Sequence, residues 1–130
     1  MADDAQIVRR SIGIVFADGG LLALSATRPQ GAAGHGDESV AAVLCSADGA
    51  PVEVSEALLS TEYDADGVQR RATLELWLDD ENEQPLRGFG TLISATSVEH
   101  PGLRGRIAFF RWLLEGREGL GHYEVVRAGA

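Results

Sequence analysis

The stretch Ala72-Thr73-Leu74-Glu75-Leu76-Trp77-Leu78-Asp79 alternates without a break. Ala72, Leu74, Leu76 and Leu78 fall on one side of a period of two, and Thr73, Glu75, Trp77 and Asp79 on the other. Successive side chains of a strand point to opposite faces, so the segment reads as a strand with one apolar face. A single such strand cannot stand alone, and the question becomes what pairs with it on either side.

Turn signals answer that question. They are Ala17-Asp18-Gly19-Gly20, Ala47-Asp48-Gly49-Ala50, Asp64-Ala65-Asp66-Gly67, Asp79 to Pro85, His100-Pro101-Gly102 and Glu115 to Gly119. Three contain Asp-Gly, which suits the positive φ angles of tight hairpins. The segments between them read as strands over 7–17, 20–28, 39–47, 50–63, 69–79, 86–97, 104–115 and 119–127. A helix is conceivable for Ser55 to Leu59 and for Ile107 to Glu115. A strand is preferred for the second, because a Gly-bearing hairpin and another alternating segment follow at once. Residues 29–38, Gly-rich and short of apolar anchors, read as a mobile loop; a lid over the barrel mouth, with His35, Asp37 and Glu38 as its polar tip, is the functional alternative.

Eight strands in four successive hairpins predict an all-β fold, an antiparallel up-and-down barrel whose closure removes free sheet edges. A sandwich of two four-stranded sheets is the alternative. Residues 1–6 are expected to be a flexible N-terminus and 7–130 a single barrel domain.

Composition narrows the function classes. The chain has 130 residues, is 45% hydrophobic and carries a formal charge of −9. An acidic surface repels phosphate backbones and anionic membranes, so neither nucleic acid nor a membrane is expected as partner. All the basic residues are arginine. Cys45 is the only cysteine and sits in the apolar run Val40 to Cys45, so it reads as a small buried hydrophobe and not a nucleophile. The acidic N-terminus lacks the apolar stretch of a signal peptide, and a cytoplasmic location is the default expectation.

No nucleotide, metal or triad motif stands out. Gly31, Gly34 and Gly36 lack the phosphate-cradling spacing. His35, His100 and His122 have no histidine partner at ligand spacing. No cofactor and no metal are therefore expected. The last strand is richer. Leu120, His122, Glu124 and Val126 share one face, and Gly121, Tyr123, Val125 and Arg127 the other. Were the first set inward, burial would raise the Glu124 pKa and make Glu124 with His122 a proton-transfer pair. Outward is favoured by the more apolar character of the second face, which makes Tyr123 the inward group. Arg111 lies on a face with Ile107, Phe109 and Glu115. If buried, it needs a carboxylate, which Glu62, Glu75 or Glu124 could supply. The aromatics Trp77, Phe109, Phe110 and Trp112 cluster in two short segments and read as walls of a core or a pocket.

Ser60-Thr61-Glu62-Tyr63, Leu74-Glu75-Leu76-Trp77, Arg87-Gly88-Phe89-Gly90, Phe110-Arg111-Trp112 and Gly119 to Glu124 resemble the closing barrel of lipocalin-like tandem-barrel proteins, a group similar to carotenoid 1,2-hydratases. The resemblance covers roughly the C-terminal half of the chain. It implies an apolar cavity for a terpenoid, steroid or polyketide-like molecule, and acid-assisted hydration, cyclisation or isomerisation. It also implies two barrels, where this chain has length for one, so that either the chain pairs with itself as a homodimer or it has kept binding and lost catalysis. A structural dimer with the Trp77 face as its interface is a separate reading. Small stand-alone barrel cyclases are a second analogy. On these grounds the catalytic candidates are Glu124, His122, Tyr123 and Glu62, and the substrate-binding candidates Arg111, Trp112, Phe109, Trp77 and Tyr63. An interior filled by Leu74, Leu76, Phe109 and Trp112 would instead favour a non-catalytic carrier or partner domain.

Overall fold

The computed structural model describes residues 7–29, 38–78 and 84–128. The expected N-terminus 1–6 and the lid residues His35 and Asp37 lie outside them. Eight strands run β1 (Ile7–Phe16), β2 (Leu21–Pro29), β3 (Ser39–Cys45), β4 (Pro51–Tyr63), β5 (Gln69–Leu78), β6 (Leu86–His100), β7 (Leu103–Leu114) and β8 (Arg117–Ala128). Each pairs antiparallel with the next, and β8 returns to β1 to close the barrel, with Ile7 opposite Ala128 and Phe16 opposite Gly119. The sandwich alternative is thereby excluded. Both conceivable helices are strand.

The turns follow from their residues. Gly19, Gly49 and Gly67, each after an aspartate, have φ of 96°, 85° and 80°. The two-residue turn at Glu115 and Gly116 has both φ values positive, as a type I′ hairpin requires. This tighter turn lets β8 start at Arg117, two residues before the sequence reading began it. β6 likewise runs to His100, beyond the expected 97. A bulge between Leu92 and Ser94 shifts its register, and from Ile93 onward every β6 residue is exposed.

Most inward positions are apolar: Ile12, Ile14 and Phe16 on β1, Leu22 and Leu24 on β2, Ala72, Leu74 and Leu76 on β5, Phe110, Trp112 and Leu114 on β7. The 72–78 alternation thus faces inward as its apolar set requires. On β7 the period of two corrects the sequence reading. Phe109 and Arg111 face outward and are exposed, because Ala108, Phe110, Trp112 and Leu114 take the inward parity. Arg111 therefore has no need of a buried carboxylate, and the interior cannot hold Phe109 together with Trp112.

Glycines on the strands beside β7 explain why the larger rings go in. Register sets Trp112 between Gly90 and Gly119, and Gly121 opposite Phe110. A Cβ at Gly90 would stand 2.6 Å from the Trp112 ring, and one at Gly121 would collide with the Gly13 carbonyl. The slots are filled by Trp112, Phe110 and Tyr123, whose ring centroids lie 5.2, 5.6 and 6.5 Å apart. Such contacts add to the burial of three large side chains.

One end of this core is tied shut. The Arg117 guanidinium sits 4.4 Å from the Phe16 ring centroid and donates to Asp18 at 2.8 Å. That hydrogen bond and the Gly20 N–H hold the Asp18 carboxyl below its usual range.

Candidate functional site

β3 is the weak point of the wall. It pairs with β2 from Thr27–Ser39 to Leu21–Cys45, but with β4 only at Val43, Leu44 and Cys45. Above Val43 the two strands part. A groove of about 520 Å³ fills the gap, lined by Glu38, Val40, Ser55, Glu56, Ala57, Leu58 and Trp77. Val40 and Ala57 pack against the interior core, whereas Glu56 and Trp77 form an outward-facing pair across β4 and β5. The groove thus takes lining from both surfaces of the wall. Its volume is in the range of small-molecule sites.

Behind it stands the interior's one buried charge pair among the described residues. The inward residues of β1 are Val8, Arg10, Ile12, Ile14 and Phe16, and Arg10 is the cation in that apolar series. Its side chain is 4% exposed and that of Glu38 1%. The guanidinium donates from Nε to Glu38 Oε2 at 3.0 Å and from Nη2 to Oε1 at 2.5 Å, a two-point clamp. Nη2 also donates to the Leu59 carbonyl at 3.1 Å. Nη1 reaches the Thr61 and Tyr123 hydroxyl oxygens, each at 3.4 Å. Burial works against the charge of Arg10, but Glu38 and Tyr123 outweigh it and the Arg10 pKa is raised.

The two hydroxyls share one hydrogen bond of 2.5 Å, in which either donates. Two O–H protons meet one such bond, so the pair keeps one proton for a further acceptor. Burial, and after it the proximity of Tyr63, pushes the Tyr123 pKa well above the tyrosine range, with Arg10 and Thr61 opposing. Tyr123 therefore stays neutral, with its hydroxyl able to accept from Arg10 and still hold a proton to donate. Gln69, wholly buried, braces the same end by donating to the Tyr123 carbonyl at 2.9 Å and the Arg106 carbonyl at 3.2 Å. Gln69 Oε1 and Trp112 Nε1 are buried without a partner among the described residues.

The expected site residues divide accordingly. Tyr123 and Trp112 face inward, and Trp77 lines the groove. His122 and Glu124 face outward as a half-exposed pair 3.4 Å apart, the placement that the apolar Tyr123 face favours. Glu62, Arg111, Phe109 and Tyr63 are exposed. His122, Glu124, Glu62 and Arg111 thus do not meet Tyr123 in the interior. Cys45, expected to be buried, is half-buried at the end of β3. No three His, Cys, Asp or Glu side chains converge as a metal site among the described residues. Sequence reasoning missed Arg10 and the role of Glu38. The signal for Arg10 was its place in the apolar parity of β1, one residue from the outward Arg9.

The outer wall also carries an apolar band. Phe89 lies opposite Leu113, and Val15 lies between Leu120 and Leu21 across the β8–β1–β2 seam. Val15 is 63% exposed and Phe89 56%. Compared with known proteins, the chain matches no family model and no curated protein sequence.

Proposed function

We propose that the barrel binds an apolar small molecule in the β3–β4 groove, with the Arg10 guanidinium and the Tyr123–Thr61 hydroxyls reading an oxygen-bearing group on it. The observation that carries this reading is the parting of β3 and β4 in front of a buried guanidinium. Replacing a buried ion pair by apolar groups is often neutral or stabilising, so stability alone gives an interior arginine little reason to persist. Glu38 gives Arg10 the carboxylate it requires, and a ligand carboxyl can take that place. Val40, Ala57, Leu58 and Trp77 offer the apolar surface for the rest of the molecule, in keeping with a terpenoid, steroid or polyketide-like ligand.

Binding stands ahead of catalysis here. Acid-assisted hydration, cyclisation or isomerisation would run through Tyr123 and Arg10, since His122, Glu124 and Glu62 face solvent. A tyrosine that holds its proton this firmly is suited to orienting a ligand oxygen or stabilising charge that develops on it, and less to giving the proton away.

Trp77 fluorescence reports the groove. Decanoic acid, decanol, farnesol and cholesterol are titrated into wild type and Glu38→Gln, with Trp77→Phe as the signal control and native mass spectrometry as the independent readout. At least one apolar compound is expected to saturate wild type. In Glu38→Gln the preference for decanoic acid over decanol is expected to rise about tenfold or more, the scale of one charge-assisted contact. Absence of saturable binding in both proteins would sink the proposal.

A further inference from the structure

Across the ring from the β3–β4 groove, the far half of the β6–β7 hairpin carries a second candidate. A groove of about 280 Å³ is lined there by Arg104, Arg106, Arg127, Glu99, Ser97 and Tyr63. Register sets Arg104 directly opposite Arg127 and Arg106 opposite Ser97. Like charges directly opposite on an antiparallel pair are destabilising, so this arrangement stands at a cost unless something negative joins it. Glu99 lies 3.9 Å from Arg104, but both side chains are largely exposed and water screens the pair. Arg106 and Arg127 make no ion pair among the described residues. Asp64 is near enough to feel Arg106, yet its carboxylate already accepts the Asp66 and Val68 amides.

Three arginines outside the groove meet carboxylates closely: Arg10 with Glu38 at 2.5 Å, Arg117 with Asp18 at 2.8 Å, Arg87 with Glu75 at 3.3 Å. In a chain of charge −9, this lining gathers three guanidiniums around one carboxylate, a local excess of positive charge. The walls also leave room. A Cβ at Gly105 would meet only Val98 at 3.9 Å, and one at Gly67 only Arg106 at 4.0 Å.

We infer that this groove is an anion site that takes the phosphate group of a soluble phosphate monoester. Guanidinium forks bind tetrahedral oxyanions by paired N–H bonds. The three lining guanidiniums leave the groove net positive even against Glu99 and the Asp64 carboxylate beside Arg106, and a phosphate dianion gains more from that field than a single carboxylate does. Tyr63 and Ser97 add hydroxyls for the remaining oxygens. The site stands independently of ligand binding at the β3–β4 groove, because it shares no lining residue with it.

The test follows the backbone amides of Gly67 and Gly105 by NMR while inorganic phosphate, hexyl phosphate, hexanoate, or vesicles of phosphatidylcholine with phosphatidic acid are added. Inorganic phosphate and hexyl phosphate are expected to shift both amides saturably, more tightly than hexanoate, and less tightly as salt rises. The double variant Arg104→Gln, Arg127→Gln is expected to weaken binding at least about tenfold. The outward double variant Arg71→Gln, Arg111→Gln, which removes the same charge elsewhere, is expected to leave it unchanged. Equal weakening by both doubles, equal affinity for hexanoate and hexyl phosphate, no saturable shift with either phosphate, or binding to the vesicles alone would overturn the assignment.

Discussion

Two seams of the same barrel are built on different physics. Between β7 and β8 the pairing is continuous from Leu103–Ala128 to Leu114–Arg117, and glycines open slots into which Trp112 and Phe110 fit. Between β3 and β4 only three residue pairs form, and the gap is backed by an ion pair, not by rings. The first seam is held by shape, which tolerates no change of volume. The second is held by charge, which depends on both partners being present. A barrel closed by packing all round would have no place where a partner could be exchanged without disturbing the fold.

Stability separates the two most sharply. Trp112→Ala is expected to cost about 3–5 kcal/mol in denaturant unfolding, because the slot between Gly90 and Gly119 cannot collapse. Arg10→Met is expected to cost about as much, for the different reason that it takes the two-point guanidinium clamp away from the buried Glu38 carboxylate. The double variant Arg10→Met, Glu38→Leu is then expected to recover most of that loss. A double variant no better than the single would show that charge does not hold the β3–β4 seam.

Local opening comes next in size. Amides of β3 between Ser39 and Ala42 that face β4 are expected to exchange with solvent at least about tenfold faster than those at the centres of β7 and β8, which need global unfolding. Equal protection would mean that the parted strands are locked as firmly as the paired ones.

The smallest effect concerns pH. The Tyr123 pKa is raised in the folded barrel, so its contribution to stability is fully present below the unfolded tyrosine value, near 10, and is lost as pH rises through the folded one. Stability is expected to decline above about pH 10, and Tyr123→Phe to flatten that decline. Phenolate absorbance followed beside unfolding tests it: ionisation of Tyr123 while the barrel is still folded would contradict the burial assigned to it.

Much of the fold was legible because its signals are local. Asp18-Gly19, Asp48-Gly49 and Asp66-Gly67 each announce a turn within four residues, and Ala72 to Leu78 announces its own inward face. The faces of β7 were not legible, since Phe109 and Leu113 are as apolar as Phe110 and Leu114. What decides between them is Gly90, Gly119 and Gly121, brought alongside by pairing with two other strands. Tyr123 could be placed inward from its apolar neighbours on β8. Arg10 and Glu38 could not be joined, because 28 residues and the whole of β2 separate them and Glu38 follows a Gly-rich segment. It takes the pairing of β1, β2 and β3 to bring that carboxylate to that guanidinium.

The β1–β8 pairing has a consequence for how the barrel comes into being. Every other seam joins strands that follow one another along the chain, so seven of them can form as hairpins while the chain is still growing. The eighth joins Phe16 to Gly119 and cannot form until the last strand has been made. Until then β1 presents a bare edge, open to pairing with another chain. The speed with which β8 docks is thus what protects each nascent molecule from its neighbours.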